Sequence, residues 1–275
     1  LGGLMIGASG LFFGVLESVV TGHALGAADR GVYTLLQTLR SPWGDAILVL
    51  ITELGDSSVI AIVTVGVLAW LAARRSWRGA AYWLGAVAFG QIVSMGIKLL
   101  LERPRPLTGL YEGVSRYSFP SGHAAMSVVT YGFLAVLIAR RMPPRYRWIA
   151  YSSAGVLVAA IDASRLYLGA HWLSDVVAGT SVGLAWIALL GIAYYRHPLP
   201  ALRPVSWPLG GLFVAAAGGA IGWHVATTHA ADLERYAAPM PIAEIDAQHW
   251  WQTGWQDLPA YREDLEGEPK QPLNV

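Results

Sequence analysis

The chain has 275 residues, of which 55% are hydrophobic and only 13% charged, with a formal net charge of +1 and no cysteine. Soluble domains carry about 25% charged residues, so this composition excludes an ordinary soluble domain and specifies a membrane protein. The near-neutral charge gives no basis for a nucleic-acid partner, and the lack of thiols excludes disulfides and thiolate metal sites.

A helix that crosses the hydrocarbon core needs about 20 mostly apolar residues. The first such run is Leu4 to Val20, interrupted near its end by Glu17, where a carboxylate can reach the interface. Residues 24 to 54 are mixed. Val32, Leu35, Leu36 and Leu39 recur at helical spacing among polar residues, which predicts an amphipathic helix on the membrane surface. Ser41-Pro42 breaks it, Asp45 to Glu53 suits a further short helix, and Asp56-Ser57-Ser58 reads as a helix start. Further spans are predicted over Val59 to Ala73, Ala80 to Leu101, Ser121 to Ala139, Trp148 to Ala163 and Trp172 to Tyr195. A seventh, Leu209 to Val225, is rich in Gly and Ala, which permits close helix contacts. The expected architecture is an all-α integral membrane bundle. It has a six-span core over 1–195, a loop with the seventh span over 196–227, and a polar tail or the start of a soluble domain over 228–275. In the tail, Trp250, Trp251 and Trp255 suit either a membrane interface or a small folded unit. A start at Leu1 and an end at Asn274-Val275 are expected of a segment of a longer polypeptide with further domains.

Positive charge assigns the sides. Arg74, Arg75 and Arg78 follow the second span, Arg140, Arg141, Arg145 and Arg147 the fourth, and Arg196 and Arg203 the sixth. Those loops are expected in the cytoplasm, which turns the loops after spans three and five outward.

Three stretches lie on that outer side. Ser164-Arg165 is followed by His171 and Asp175, which share a face if the run is helical. An aspartate beside an imidazole sets its tautomer and leaves the free nitrogen nucleophilic, and arginine offers phosphate a planar fork of donors. Such a cluster is also what a basic loop with a capping group looks like. Lys98, near the end of its span, precedes Arg103-Pro104-Arg105-Pro106, a doubled Arg-Pro that leaves the register open. Interfacial anchoring explains such charge equally well. Pro120-Ser121-Gly122-His123 opens the fourth span. Free amides at a helix N-terminus bind phosphate and Gly122 lets an anion approach, although a structural helix start has the same composition.

Taken together and in chain order, Lys98 with Arg105-Pro106, then Pro120-Ser121-Gly122-His123, then Ser164-Arg165 with His171 and Asp175, the three stretches resemble the motifs of the type 2 phosphatidic acid phosphatase superfamily, which the vanadium haloperoxidases share. The resemblance covers about residues 20 to 195, and the spans fit its bacterial lipid-phosphatase branch. It implies that His171 is the nucleophile of a phosphohistidine and that Asp175 orients it. His123 is then the acid for the leaving oxygen, and Lys98, Arg105, Ser121, Gly122 and Arg165 hold the phosphoryl group. No carboxylate cluster suggests a metal, and no cofactor is expected. The implied partners are the bilayer and a membrane lipid phosphate, with undecaprenyl pyrophosphate favoured. Phosphatidylglycerol phosphate, phosphatidic acid and a lipid phosphotransferase reaction are the alternatives within the family. A non-catalytic lipid transporter or scaffold is the alternative outside it. The implied location is a bacterial inner membrane with the site facing the periplasm. Some members with this architecture carry a DedA-like domain before the phosphatase.

Overall fold

The computed structural model describes residues 1–22, 25–107, 110–111, 113–197, 207–237, 261–263 and 269–272. Trp250, Trp251, Trp255 and Arg203 lie outside the described residues. The chain divides into two compact units, Leu1–Ala238 and Pro239–Val275. In the second, strands β1 (Tyr261–Glu263) and β2 (Pro269–Pro272) pair antiparallel, with Tyr261 opposite Pro272.

The first unit is helical: α1 (Gly2–Thr21), α2 (Leu25–Thr38), α3 (Pro42–Glu53), α4 (Ser57–Ala73) and α5 (Trp77–Leu101) lead to a short 3-10 turn over Gly113–Arg116. Then come α6 (Gly122–Ser127), α7 (Phe133–Ala139), α8 (Arg147–Tyr167), α9 (Leu173–Tyr195) and α10 (Trp207–Arg235). A π-helical segment, Val128–Gly132, joins α6 and α7 into one rod. Among the described residues six helical stretches are long and apolar enough to cross a membrane, and they fall on the six spans expected of the core. The second differs in its bounds. It runs from Pro42 to Ala73 through α3 and α4, rather than starting at Val59. Glu53 ends the apolar run in the sequence but not the stretch, because its carboxylate is buried against His229 at 2.8 Å. α10 covers the stretch read as a seventh span.

Local chemistry sets the helix starts. Ser41 Oγ accepts from Gly44 N with Pro42 in the first turn of α3, and Asp56 Oδ1 accepts from Ser58 N at 2.9 Å to open α4. Trp172 N donates to Asp175 Oδ2 at 2.9 Å, so Asp175 closes the start of α9 from its third position.

The stretch from Gly122 to Ala139 is the most buried of the six and forms the axis of the bundle. Trp83 of α5 and Ile187 and Tyr194 of α9 pack against its Val128, Val129, Phe133 and Val136. α9 comes unusually close: a Cβ at Gly179 would stand 2.5 Å from the Ser121 carbonyl oxygen and 3.1 Å from Ala124 Cβ. Glycine there lets the backbone of α9 lie against the start of α6, the small-residue packing that membranes favour where lipid gives no hydrophobic drive. Outside, Ile6, Phe13, Ile92, Leu100 and Val156 are exposed, a distribution suited to a lipid solvent rather than water.

One end of the bundle gathers the last turns of α5, α8 and α10 with the first turns of α6 and α9.

Candidate active site

That end holds a cavity of about 910 Å³. Lys98, Arg105, Gly122, His123 and His171 line it, together with Tyr111 and Arg235. Below this mouth the wall mixes apolar and polar side chains, with Ile60, Ala61, Thr64 and Val65 on α4 and Val87, Gln91, Ser94 and Met95 on α5.

His171 sits in the turn between α8 and α9. Gly169 makes the turn at φ +68°, a backbone conformation that costs other residues. The turn aims the Ala170 carbonyl and the His171 ring at Arg105, whose Nη1 lies 2.7 Å from Ala170 O and 2.9 Å from His171 Nε2. A guanidinium can only donate, so Nε2 carries the lone pair and Nδ1 carries the hydrogen. Nδ1 faces Asp175 Oδ2 at 3.4 Å, a long contact of the kind that tightens when substrate binds. His171 is 2% exposed. Burial, then Arg105, Arg165 and Lys98, hold its pKa well below the usual imidazole range, so the neutral form is the resting one. Burial and Arg165 in turn lower the Arg105 pKa to about 10, which leaves it charged.

Asp175 is fully buried, and its carboxylate is held from behind. Arg103 Nη1 donates to Asp175 Oδ1 at 2.6 Å and to Ser174 Oγ at 2.7 Å, while Nη2 donates to Asp29 Oδ2 at 2.7 Å. Asp29, buried on α2, also accepts from Ser174 N at 2.8 Å. The doubled Arg-Pro is thereby resolved. Arg105 faces the cavity with His171, and Arg103 faces the aspartate beneath it. Asp29 gives no signal in the sequence, because its partners lie far along the chain and only the packing of α2 on α9 brings them together.

His123, one residue into α6, opens on the cavity with no hydrogen-bond partner among the described residues. Ser121 is buried and caps α6, its Oγ 3.4 Å from Ala124 N, and its own N–H donates to Asp175 O at 3.0 Å. Lys98 Nζ, in the last turn of α5, donates to Tyr117 O at 2.7 Å, and Gly122 lies against its stem.

Arg165 stands apart from the other predicted residues. It ends α8 rather than lying in a loop, and it is wholly buried. Nη1 donates to Thr52 Oγ1 at 2.7 Å and Tyr236 Oη at 3.0 Å, and Nη2 donates to Tyr111 Oη at 2.8 Å. Its Nε is buried without a partner among the described residues. No carboxylate is among these contacts, so three hydroxyls hold a cation beside a cavity. Thr52, Tyr111 and Tyr236 carry no motif that would have singled them out in the sequence.

Among the described residues no group of three or more His, Cys, Asp or Glu side chains is placed to hold a metal ion. The arrangement suits phosphoryl transfer: a bare imidazole nitrogen, cations around it, and a second histidine on the same cavity.

Residues 79–198 match the PAP2 superfamily. Phosphatidylglycerophosphatase B of Bacillus subtilis is 31% identical over 63% of this chain and 87% of its own length. The chain belongs to the PAP2 superfamily. A crystal structure of a transmembrane PAP2-type phosphatidylglycerolphosphate phosphatase from Bacillus subtilis superposes with a TM-score of 0.60 at 27% identity, over 70% of this chain and 97% of that one. An undecaprenyl-diphosphatase of Sulfolobus acidocaldarius is 40% identical over a shorter stretch, 28% of this chain and 32% of its own. This PAP2 protein is a membrane phosphoric ester hydrolase of the lipid-phosphatase kind.

Proposed function

We propose that this PAP2 protein hydrolyses a lipid diphosphate through a phosphohistidine on His171, with undecaprenyl pyrophosphate at the outer leaflet as its substrate. The observation that carries the reading is the pair of contacts on one ring: Arg105 on Nε2 at 2.9 Å and Asp175 on Nδ1 at 3.4 Å. They leave the nucleophilic lone pair on the nitrogen that faces the cavity cations.

The steps follow from these groups. A phosphoryl oxygen entering the cavity takes over the donors of Lys98 and Arg105, which frees Nε2 from Arg105. Nε2 attacks phosphorus, and the bond from phosphorus to the leaving oxygen breaks in line. Asp175, fixed by Arg103, stabilises the positive ring as it forms. His123 gives a proton to the leaving oxygen, and the lipid product departs. Water then attacks the phosphohistidine while His123 takes its proton. Inorganic phosphate leaves and His171 is neutral again. Lys98, Arg105 and Arg165 stabilise charge on the equatorial oxygens, the work that metal ions do in other phosphatases, so turnover requires no added divalent ion. The outward orientation rests on the arginines at the opposite end of the bundle.

Phosphatidylglycerol phosphate is the second reading, favoured by the names of the Bacillus relative and of the superposed structure. One experiment tests both. Purified protein is quenched with substrates labelled in the terminal phosphate, and phosphate release is compared across lipid diphosphates, phosphatidylglycerol phosphate and phosphatidic acid. Acid-labile label on His171, absent in His171→Ala, is the expected result, with release fastest from undecaprenyl pyrophosphate. Turnover in His171→Ala within tenfold of the parent protein refutes the nucleophile, and faster release from phosphatidylglycerol phosphate replaces the substrate.

A further inference from the structure

The last turn of α10 lies beyond the residues that match the family, yet it stands at the cavity. Tyr236 follows the helix. Its hydroxyl accepts from Arg165 and meets that of Tyr111, and its carbonyl accepts from Arg40 Nη2. About two turns earlier, His229 meets Glu53. These contacts fasten the end of α10 over the site without using Arg235.

Arg235 itself lines the cavity. Its guanidinium carbon is 6.0 Å from the centre of the Tyr111 ring. Arg105 and Arg165 approach the same ring at 4.4 and 5.9 Å. Three guanidinium groups thus share one aromatic ring, with Lys98 on the same cavity. Only Arg235 among the three meets a carboxylate, Asp232 Oδ1 at 2.6 Å, and its side chain is still 42% exposed. A last-turn arginine also complements a helix dipole. That role calls for neither a cavity nor an aromatic shared with two other arginines.

We infer that Arg235 binds the second phosphoryl group of a diphosphate substrate, the one that stays with the lipid. Lys98, Arg105 and Arg165 suffice for the phosphoryl group that is transferred. A diphosphate brings a neighbouring group with further negative charge, and a guanidinium can take two of its oxygens at once. When the bond between the terminal phosphorus and the bridging oxygen breaks, the electron pair goes to the departing lipid monophosphate. Arg235 stabilises the charge that develops there.

The inference rests on the proposed phosphatase activity and sharpens its substrate class. The test compares geranylgeranyl diphosphate with geranylgeranyl monophosphate, which share a tail and differ only in the second phosphoryl group. In Arg235→Gln the ratio of kcat/KM for diphosphate over monophosphate falls about tenfold or more, the size of a lost charged hydrogen bond, and Arg235→Lys restores part of it. An unchanged ratio, whatever the absolute rates, overturns the assignment. If Arg235→Gln does not fold, Asp232→Asn decides. It removes the competing carboxylate and raises the ratio, and no rise overturns the assignment. Wild-type protein that hydrolyses neither probe removes the phosphatase reading itself. Wild-type protein that hydrolyses both, with the ratio unmoved in the variants, removes only the role of Arg235.

Discussion

Arg140 and Arg165 lie at opposite ends of the bundle, each beside two tyrosine rings. Arg140 is 4.6 and 4.8 Å from the centres of Tyr194 and Tyr195, and Arg165 is 5.9 and 5.3 Å from those of Tyr111 and Tyr236. Their acceptors differ. Arg140 donates to the carbonyls of Tyr194, Tyr195 and His197, at and just past the end of α9, where the regular helical hydrogen-bond ladder runs out. Arg165 donates to hydroxyls, which can rotate and donate in their turn. An arginine bound to helix-end carbonyls fastens the fold. An arginine bound to hydroxyls beside a cavity can pass its donors to an oxyanion at little cost. What an arginine does is read from its acceptors, not from its burial or its neighbours.

That contrast can be broken most directly at Arg165. Arg165→Gln should lower kcat by about 10³-fold, the scale of losing a preorganised charge donor, measured by phosphate release in detergent. A loss below tenfold would place Arg165 with Arg140. Arg103→Gln comes next. This positioning residue touches Asp175 and not the cavity, so kcat should fall by about 10²-fold with KM nearly constant, and Arg103→Lys should recover part of it. A rise in KM alone would make Arg103 a binding residue.

The third test is pH. The nucleophile must be unprotonated, and the His171 pKa is depressed by burial and then by Arg105. The acid limb of kcat/KM should therefore lie below the ordinary histidine range. Removing the Arg105 charge in Arg105→Gln raises the His171 pKa, so the limb should move to higher pH. A limb that stays in place or moves lower would separate the two residues. Arg140→Gln should show the smallest effect on activity, with turnover unchanged and a melting temperature lower by about 2–4 °C for each kcal/mol lost.

The membrane bundle is legible in the sequence because the bilayer imposes long apolar runs, and the motif residues are legible because phosphoryl chemistry demands particular side chains near one another in the chain. Lys98, Arg105, Gly122, His123 and His171 line one cavity. What surrounds them is not legible. Asp29 meets Ser174 and Arg103 only because α2 packs on α9, and Tyr236 meets Arg165 only because α10 returns to α3. These contacts join residues whose local sequence is ordinary. Hydropathy failed at Glu53, where a buried carboxylate found its partner in a helix more than a hundred residues on. The doubled Arg-Pro was undecided for a related reason, since two arginines on one short turn face different ways and only the fold shows which faces the histidine.

The cavity runs down α5 from Lys98 to Val87, about three helical turns, past Met95, Ser94 and Gln91, with α4 also lining it. For a lipid substrate this makes the encounter a search in two dimensions. The tail stays among other tails while the head group slides along the leaflet into the charged mouth. The concentration that governs turnover is then the mole fraction of substrate in the membrane rather than its amount per volume of water. Diluting the substrate lipid with inert lipid should slow the enzyme, whereas diluting the whole vesicle suspension should not.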